Sequence, residues 1–561
     1  MIPKILFEAG TNGPASFYFQ YIRQRWFFYI FGAAAVLITN VTEVLIPKWL
    51  QYFLDYLQYE DIPKYLANSK NLYIDFALVF FLLLCMQMLF RGLWRITLAR
   101  ESHYSSSLMK QMLWERLRFL PRAFFDRKYS LGNLMSISTS DIGTARFLFG
   151  FTLVGAANSL FLCPLALYFM FQIDKEITLY ILGFFLLLPL AMYKIMEAYS
   201  QQYEKQQVHL SKLNEESSSS IANIKLQKLS DSSAFWFKNL KNYAKQTRDA
   251  KYRTTKTALL FGVAFESAPL LAYVFLYILG LKKVIEGGMS IGEFVALQSY
   301  AFLLQMPFAD IGFILADYKK GSTSLKRIFK VLNSKVDKRF EITKSIQKKY
   351  PNPVYEVKDL AYDIDGQHIL QGLSFSIRKG EWLGIKGPVG TGKTTLLEIL
   401  LGFHSDYSGQ VKLFGNAITD YSMADLRKWI AYVPQKNFLF ADTLKKNLQL
   451  QKHIPDQDIQ TYLRLSDMLE DTKHLDRGSE SLLGEDGVNL SGGQKQRLSI
   501  ARALAQEKEI LLMDDCLSAV DTVTEEKILQ ELKNHLKGKT LVWTAHRDST
   551  LKYCDHILEL G

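Results

Sequence analysis

Long apolar runs separated by polar, cation-rich stretches fill the chain as far as Tyr318. Six runs have the roughly 20 apolar residues that a helix needs to cross a bilayer. They lie at 26–54, 71–98, 147–172, 177–199, 257–285 and 291–318. Residues 99–119 and 194–256, between the second and third runs and between the fourth and fifth, keep helical periodicity and little Gly or Pro. The membrane helices are therefore expected to continue into water there. A linker of mixed charge follows at 335–352. From Val354 the pattern changes to short strands with turns: Tyr355–Val357, Leu373–Ile377 and Trp382–Ile385. The expected organisation is a lead-in at 1–25, a six-helix membrane domain at 26–334, the linker, and an α/β P-loop domain at 353–561.

Charge gives these helices an orientation. The net charge is +12, which by itself would fit nucleic acid. Much of the excess lies in the two long connections, including Arg116, Arg118 and Arg122 in the first and Lys238, Lys241 and Lys245 in the second. The short connections carry few cations. The positive-inside rule then places both long connections, both termini and the P-loop domain in the cytosol, and no nucleic-acid partner is expected. The partner implied is a lipid bilayer, which also suits the 38 Phe and 29 Tyr. The N-terminus lacks the apolar core of a secretory signal before Trp26; residues 17–22 read as an amphipathic elbow. The four cysteines, Cys85, Cys163, Cys516 and Cys554, form no C-x-x-C pair, so neither disulfide nor zinc is expected. Within the spans, Glu43, Arg91, Arg95, Glu266 and Asp310 are either substrate contacts or partners in interhelical pairs.

Three segments carry chemistry. Gly387-Pro388-Val389-Gly390-Thr391-Gly392-Lys393-Thr394, followed by Thr395, fits G-x-x-x-x-G-K-[ST]. Its backbone N–H groups can converge on phosphate oxygens, Lys393 can reach the β/γ-phosphates, and Thr394 can place its hydroxyl on Mg²⁺. Ile510–Asp514 is an apolar run ending in a carboxylate, as expected of a buried strand that delivers Asp514 to the metal. Between them stands Leu490-Ser491-Gly492-Gly493-Gln494, whose serine and glycines open a helix.

In this order the three segments resemble the nucleotide-binding domain of an ABC transporter. The first half resembles the exporter-type membrane domain of that family, at Phe124-Phe125-Asp126, Gly132–Ser136, Asp141, Ile221–Lys225, Ile291–Ala296 and Pro307. The resemblance covers nearly the whole chain. It implies a multi-pass half-transporter that binds ATP and Mg²⁺, pairs with a second half-transporter, and exports a drug-like compound, lipid or peptide, with the bacterial inner membrane as its location. It places Tyr362 at the adenine-stacking position, the alternative being plain packing. It places Gln435 at the metal or attacking water, Ser491–Gln494 at the γ-phosphate held by the partner, Ser518–Asp521 at the dimer interface, and His546 at the γ-phosphate. Gly484–Gly487 resembles a loop that senses docking helices. Those helices would lie near Pro121–Lys128 and Leu229–Trp236, unless these tips are simply solvated turns.

One position departs from the pattern. Asp515 stands where the family carries a catalytic glutamate. The resemblance then implies a weakly hydrolytic site in a heterodimer whose partner supplies the glutamate. A homodimeric exporter or flippase with a competent Asp515, and an ATP-gated channel or regulatory subunit, are the alternatives.

Overall fold

The computed structural model describes residues 13–59, 71–125, 129–340, 342, 346, 352–364, 366–450, 452–484 and 487–561, without the side chains of Phe261, Ala264, Glu266, Ser267 and Ala268. The chain forms two compact units. One holds residues up to Arg118 with Leu131–Ser334; the other holds Phe119–Ser130 with Lys335–Gly561.

The first unit is helical. A short helix α1 (Pro14–Gln24) buries Phe17 and Tyr21 at the expected elbow. It is followed by α2 (Trp26–Tyr59), α3 (Leu72–Leu117), α4 (Phe151–Ile173), α5 (Lys175–Ala222), α6 (Ser233–Ile285) and α7 (Ile291–Leu332). Among the described residues, five helical stretches are long and apolar enough to cross a membrane, containing α2, α3, α4, α5 and α7. The remaining run, 257–285, lies within α6. α3, α5, α6 and α7 continue well beyond a bilayer's thickness, as their polar extensions predict. Pro47, Pro164, Pro189, Pro269 and Pro307 lie inside helices without ending them. A reciprocal capping box starts α7: Ser290 Oγ accepts from Glu293 N, and Glu293 Oε2 accepts from Ser290 N. Arg91 pairs with Glu43 at 3.3 Å, so these two ionisable residues join α3 to α2. The Glu266 side chain lies outside the described residues.

The second unit is built on two sheets. Strands β1 (Tyr355–Ile364), β2 (Gln367–Ile377), β4 (Ser408–Leu413) and β5 (Asn416–Ala417) form an antiparallel sheet in the order 2-1-4-5. Strands β3 (Trp382–Lys386), β6 (Ile430–Val433), β7 (Ile510–Asp514), β8 (Thr540–Thr544) and β9 (His556–Glu559) form a parallel sheet in the order 6-7-8-3-9. β7 is buried at every position. Its alternate residues enter two different cores: Leu511 and Met513 pack in one, Ile510 and Leu512 in the other. A strand covered on both faces reads as an unbroken apolar run, which is how Ile510–Met513 reads.

That topology positions the site. Ligands of open parallel sheets sit beyond the carboxyl ends of the strands. β3 ends into Gly387, β6 into Gln435, β7 ends in Asp514, and β8 leads to His546. All four therefore reach one edge of the sheet.

Candidate nucleotide site

The phosphate loop follows from its glycines. Gly390 and Gly392 have φ of 90° and 85°, the left-handed region that favours glycine. A Cβ at Gly390 would meet nothing within 4 Å, so the turn is open where a phosphate would approach. Gly392 caps α8 (Lys393–Leu400), whose N-terminal dipole end favours an anion. Lys393 Nζ donates to the carbonyls of Gly387 and Pro388, both at 2.7 Å. Burial lowers its ammonium below the usual lysine range, and the carboxylates of Asp515 and Asp514 oppose that shift. Val389 is exposed at the tip of the loop, and Thr394 is exposed on the first turn of α8.

Asp514 is buried, and its carboxylate is held from two sides. Oδ1 accepts from Thr544 Oγ1 at 2.6 Å, and Oδ2 from the Tyr432 hydroxyl at 3.5 Å. Asp515 turns the chain out of β7 with φ of 42°, a strained value for a residue with a Cβ. Its N–H donates to the carbonyl and the hydroxyl of Thr544, each at 3.0 Å. Its Oδ2 accepts from Gln435 Nε2 at 3.4 Å. Burial raises the Asp515 carboxyl above the usual range, while His546 and Gln435 act in the opposite sense. Asp515 and His546 line one small cavity of about 80 Å³ with Ser518 and Arg547. Lys393, Asp514, Asp515, Gln435 and His546 thus gather at one place.

Ser491 is elsewhere. It caps α9 (Gly492–Leu504) through a reciprocal pair: its hydroxyl accepts from Gln494 N, and Gln494 Oε1 accepts from Ser491 N at 2.9 Å. Among the described residues, no hydrogen bond or ion pair links Ser491–Gln494 to the phosphate loop, Asp514 or Asp515. Ser491 is exposed, as is Gly492 beside it.

Tyr362 requires a correction. It is 2% exposed, and its hydroxyl meets His404 Nδ1 at 3.0 Å. The ring packs in the core of the second unit. β1 shifts register against β2 on both sides of this position, between Leu360 and Tyr362 and between Tyr362 and Asp363. A one-residue slip turns a side chain to the other face. Tyr362→Leu should therefore leave MgATP affinity within about twofold of wild type while lowering stability by about 1–3 kcal/mol, since His404 loses a partner. Displacement of a fluorescent ATP analogue and thermal unfolding check this; a tenfold loss of affinity would restore the stacking role.

Several supporting residues gave no sequence signal. Gln494 Nε2 donates to Asp471 Oδ1 at 2.9 Å, and Arg497 pairs with the other oxygen at 2.6 Å, fixing the orientation of the amide. Gln496 binds both Ser518 Oγ and Ala519 N, tying Ser518–Asp521 to α9. Arg547 donates to the carbonyls of Ser518 and Val520 and pairs with buried Glu525. A lone polar residue in a helix or turn reads as solvated until the neighbour it binds is known. In the same unit, the segment carrying the first expected tip is anchored. The Asp337 N–H donates to the Phe119 carbonyl at 3.0 Å, Phe124 is 5% exposed, and Arg122 lies 3.8 Å from Glu398 on α8. Residues 126–128 of that tip, and Glu485 and Asp486 of the expected sensing loop, lie outside the described residues.

The profile of the ABC transporter transmembrane region matches residues 29–308, and that of the ABC transporter domain matches 370–518. The chain is 28% identical to the probable multidrug resistance ABC transporter ATP-binding/permease protein YheI of Bacillus subtilis, across 96% of this chain and 91% of that protein. It is 27% identical to the ATP-dependent lipid A-core flippase of Pseudomonas aeruginosa, across 97% and 92%. A solved bacterial Atm1-family ABC exporter with ATP bound shares the fold, with a TM-score of 0.78 at 21% identity over 96% of this chain and 94% of that one. The chain belongs to the ABC transporter family: it is an exporter-type half-transporter, a multi-pass membrane domain fused to an ATP-hydrolysing domain.

Proposed function

We propose that this chain is the weakly hydrolytic half of a heterodimeric exporter of amphipathic compounds. The observation that carries the reading is Asp515, a carboxylate one methylene shorter than glutamate at the turn beyond Asp514. Proton transfer tolerates little error in reach, and a misplacement near 1 Å lowers a rate by about 10²-fold. The raised carboxyl of Asp515 improves its basicity but does not lengthen it.

In this reading the domains run 26–334 and 353–561 around the linker 335–352. Gly387–Thr395 cradle the triphosphate of ATP. Thr394, Asp514 and, through water or directly, Gln435 would hold Mg²⁺, which would supply charge neutralisation at the phosphates. The residues fit such an ion: a buried carboxylate and an exposed hydroxyl stand beside a partly desolvated lysine. Asp515 orients the attacking water, and His546 contacts the γ-phosphate. Ser491–Gln494 complete the site of the partner; among the described residues no hydrogen bond or ion pair joins them to their own phosphate loop. The second tip supports a partner too: Leu229, Phe235 and Phe237 are 86%, 62% and 69% exposed, apolar side chains suited to docking on the other half-transporter. ATP drives transport through its greater affinity for the closed pair. The ATP-hydrolysing domain faces the cytosol, and the membrane is the bacterial inner membrane.

Asp515→Glu tests the reading. The chain purified alone should bind MgATP but hydrolyse it slowly, and, if the chain can pair with itself, the substitution should raise the rate by about tenfold or more, by restoring reach. Fast hydrolysis by the unaltered chain alone would instead favour the homodimer.

A further inference from the structure

A cavity of about 600 Å³ with several charged side chains in its lining opens in the first unit. Glu197 and Glu204 of α5 line it, as do Lys319 and Lys320 of α7 and the ring of Tyr193. Asp141, in the helical turn Ile137–Asp141, contributes a third element.

Two observations mark this cavity as a recognition site. The first is charge. Glu197 and Glu204 present two carboxylates from one helix, Lys319 and Lys320 two ammonium groups from another, and among the described residues none of the four forms an ion pair. The second is Asp141, whose side chain is 7% exposed. Its Oδ1 accepts from Ser324 Oγ at 3.1 Å and Arg327 Nη1 at 3.2 Å, while Oδ2 is buried with no partner. A buried carboxylate oxygen left unpaired is destabilising, so a donor is expected to reach it when the site is filled. The volume is that of an ordinary small-molecule site.

We infer that this cavity binds a zwitterionic primary amine, such as the ethanolamine phosphate group of a lipid or its soluble counterpart. The ammonium faces Glu197 and Glu204, to which it can donate N–H bonds; the anion faces Lys319 and Lys320; and a donor of the ligand meets the open Oδ2 of Asp141, which its bonds to Ser324 and Arg327 hold beside α7. A quaternary ammonium has no N–H to donate and is discriminated against. Tyr193 adds a ring face for the cation. The cavity's lining residues on α5 and α7 fall at and beyond the ends of the apolar runs 177–199 and 291–318. The inference rests on the export reading, to which it adds a substrate class.

The test uses the full chain in phosphatidylcholine nanodiscs, without nucleotide. In one arm the discs contain phosphatidylethanolamine, and lipid retained per chain after detergent extraction is counted by native mass spectrometry. In the other arm soluble phosphoethanolamine is titrated calorimetrically. Retained phosphatidylethanolamine, or binding of the soluble zwitterion, is expected, at about tenfold preference over the choline analogue, the effect of losing one charge-assisted bond. Lys319→Glu with Lys320→Glu should remove that preference, as should Glu197→Lys with Glu204→Lys. Combining all four should restore part of it, because the two helix walls are then reversed together while Asp141 is unchanged; this variant separates lost recognition from lost folding. Signal in the first arm alone identifies a lipid headgroup, and in the second arm a soluble zwitterion. Equal retention of both lipids with no calorimetric binding overturns the inference, as does a preference untouched by the paired reversals. MgATP binding measured on the same discs keeps the two readings apart: a chain that binds MgATP but neither probe loses only the cavity assignment.

Discussion

Ser491→Arg is expected to abolish ATP hydrolysis by the assembled transporter, whereas Asp515→Asn lowers it only modestly. Ser491 caps α9 and is exposed, with Gly492 beside it, so the end of the helix is accessible to a phosphate carried by another chain. An arginine there loses the hydroxyl that accepts from Gln494 N and puts a bulky cation across the helix end. Donors aimed at a reacting phosphate are commonly worth about 10²–10³-fold in rate, so loss of the whole face should leave little activity. Asp515→Asn removes a base whose reach is already short. The asymmetry is the decisive feature: in a homodimer every site carries Asp515, and both substitutions would be equally damaging. Steady-state ATPase rates of the two variants, each purified with whatever half-transporter copurifies, separate the cases. Equal and near-complete loss would reject the heterodimer.

Lys393→Ala should weaken MgATP binding at this chain's own site by about 10–100-fold, the effect of losing a hydrogen bond to a charged group. The lysine sits at the first position of α8 and is 8% exposed. Its ammonium rests on the carbonyls of Gly387 and Pro388, which hold it at the mouth of the loop. Desolvation makes that cation more responsive to an arriving anion, because less water competes. Equilibrium displacement of a fluorescent ATP analogue measures the effect, and unchanged affinity would show that Gly387–Thr394 does not hold the nucleotide. Unfolding temperature is the control. The substitution removes two hydrogen bonds but buries no new polar group, so the fold should persist.

The sequence by itself determined the architecture. The period and length of its apolar runs required spanning helices, because a bilayer leaves no other way to satisfy the backbone. The cations of the long connections set the orientation expected of them. The glycines of the phosphate loop, the apolar run before Asp514 and the serine before two glycines each carry a local physical demand that no other residue meets as well, and each was legible without knowing its neighbours. The structure then placed Lys393, Asp514, Asp515, Gln435 and His546 at one edge of the parallel sheet.

What only the tertiary structure decided are relations across long sequence separations. Arg91 pairs with Glu43, not with another carboxylate, because α2 and α3 pack as neighbours. The orientation of Gln494 depends on Asp471, and the position of Ser518–Asp521 on Gln496 and Arg547. Tyr362 is the clearest case. Its place upstream of Gly387 was visible in the sequence, but the face it occupies depends on irregularities where β1 pairs with β2. Side chains alternate along a strand, so a shift of one residue separates a ring facing a ligand from a ring buried against His404. That choice belongs to the pairing of two strands, and a pattern read along one strand does not contain it.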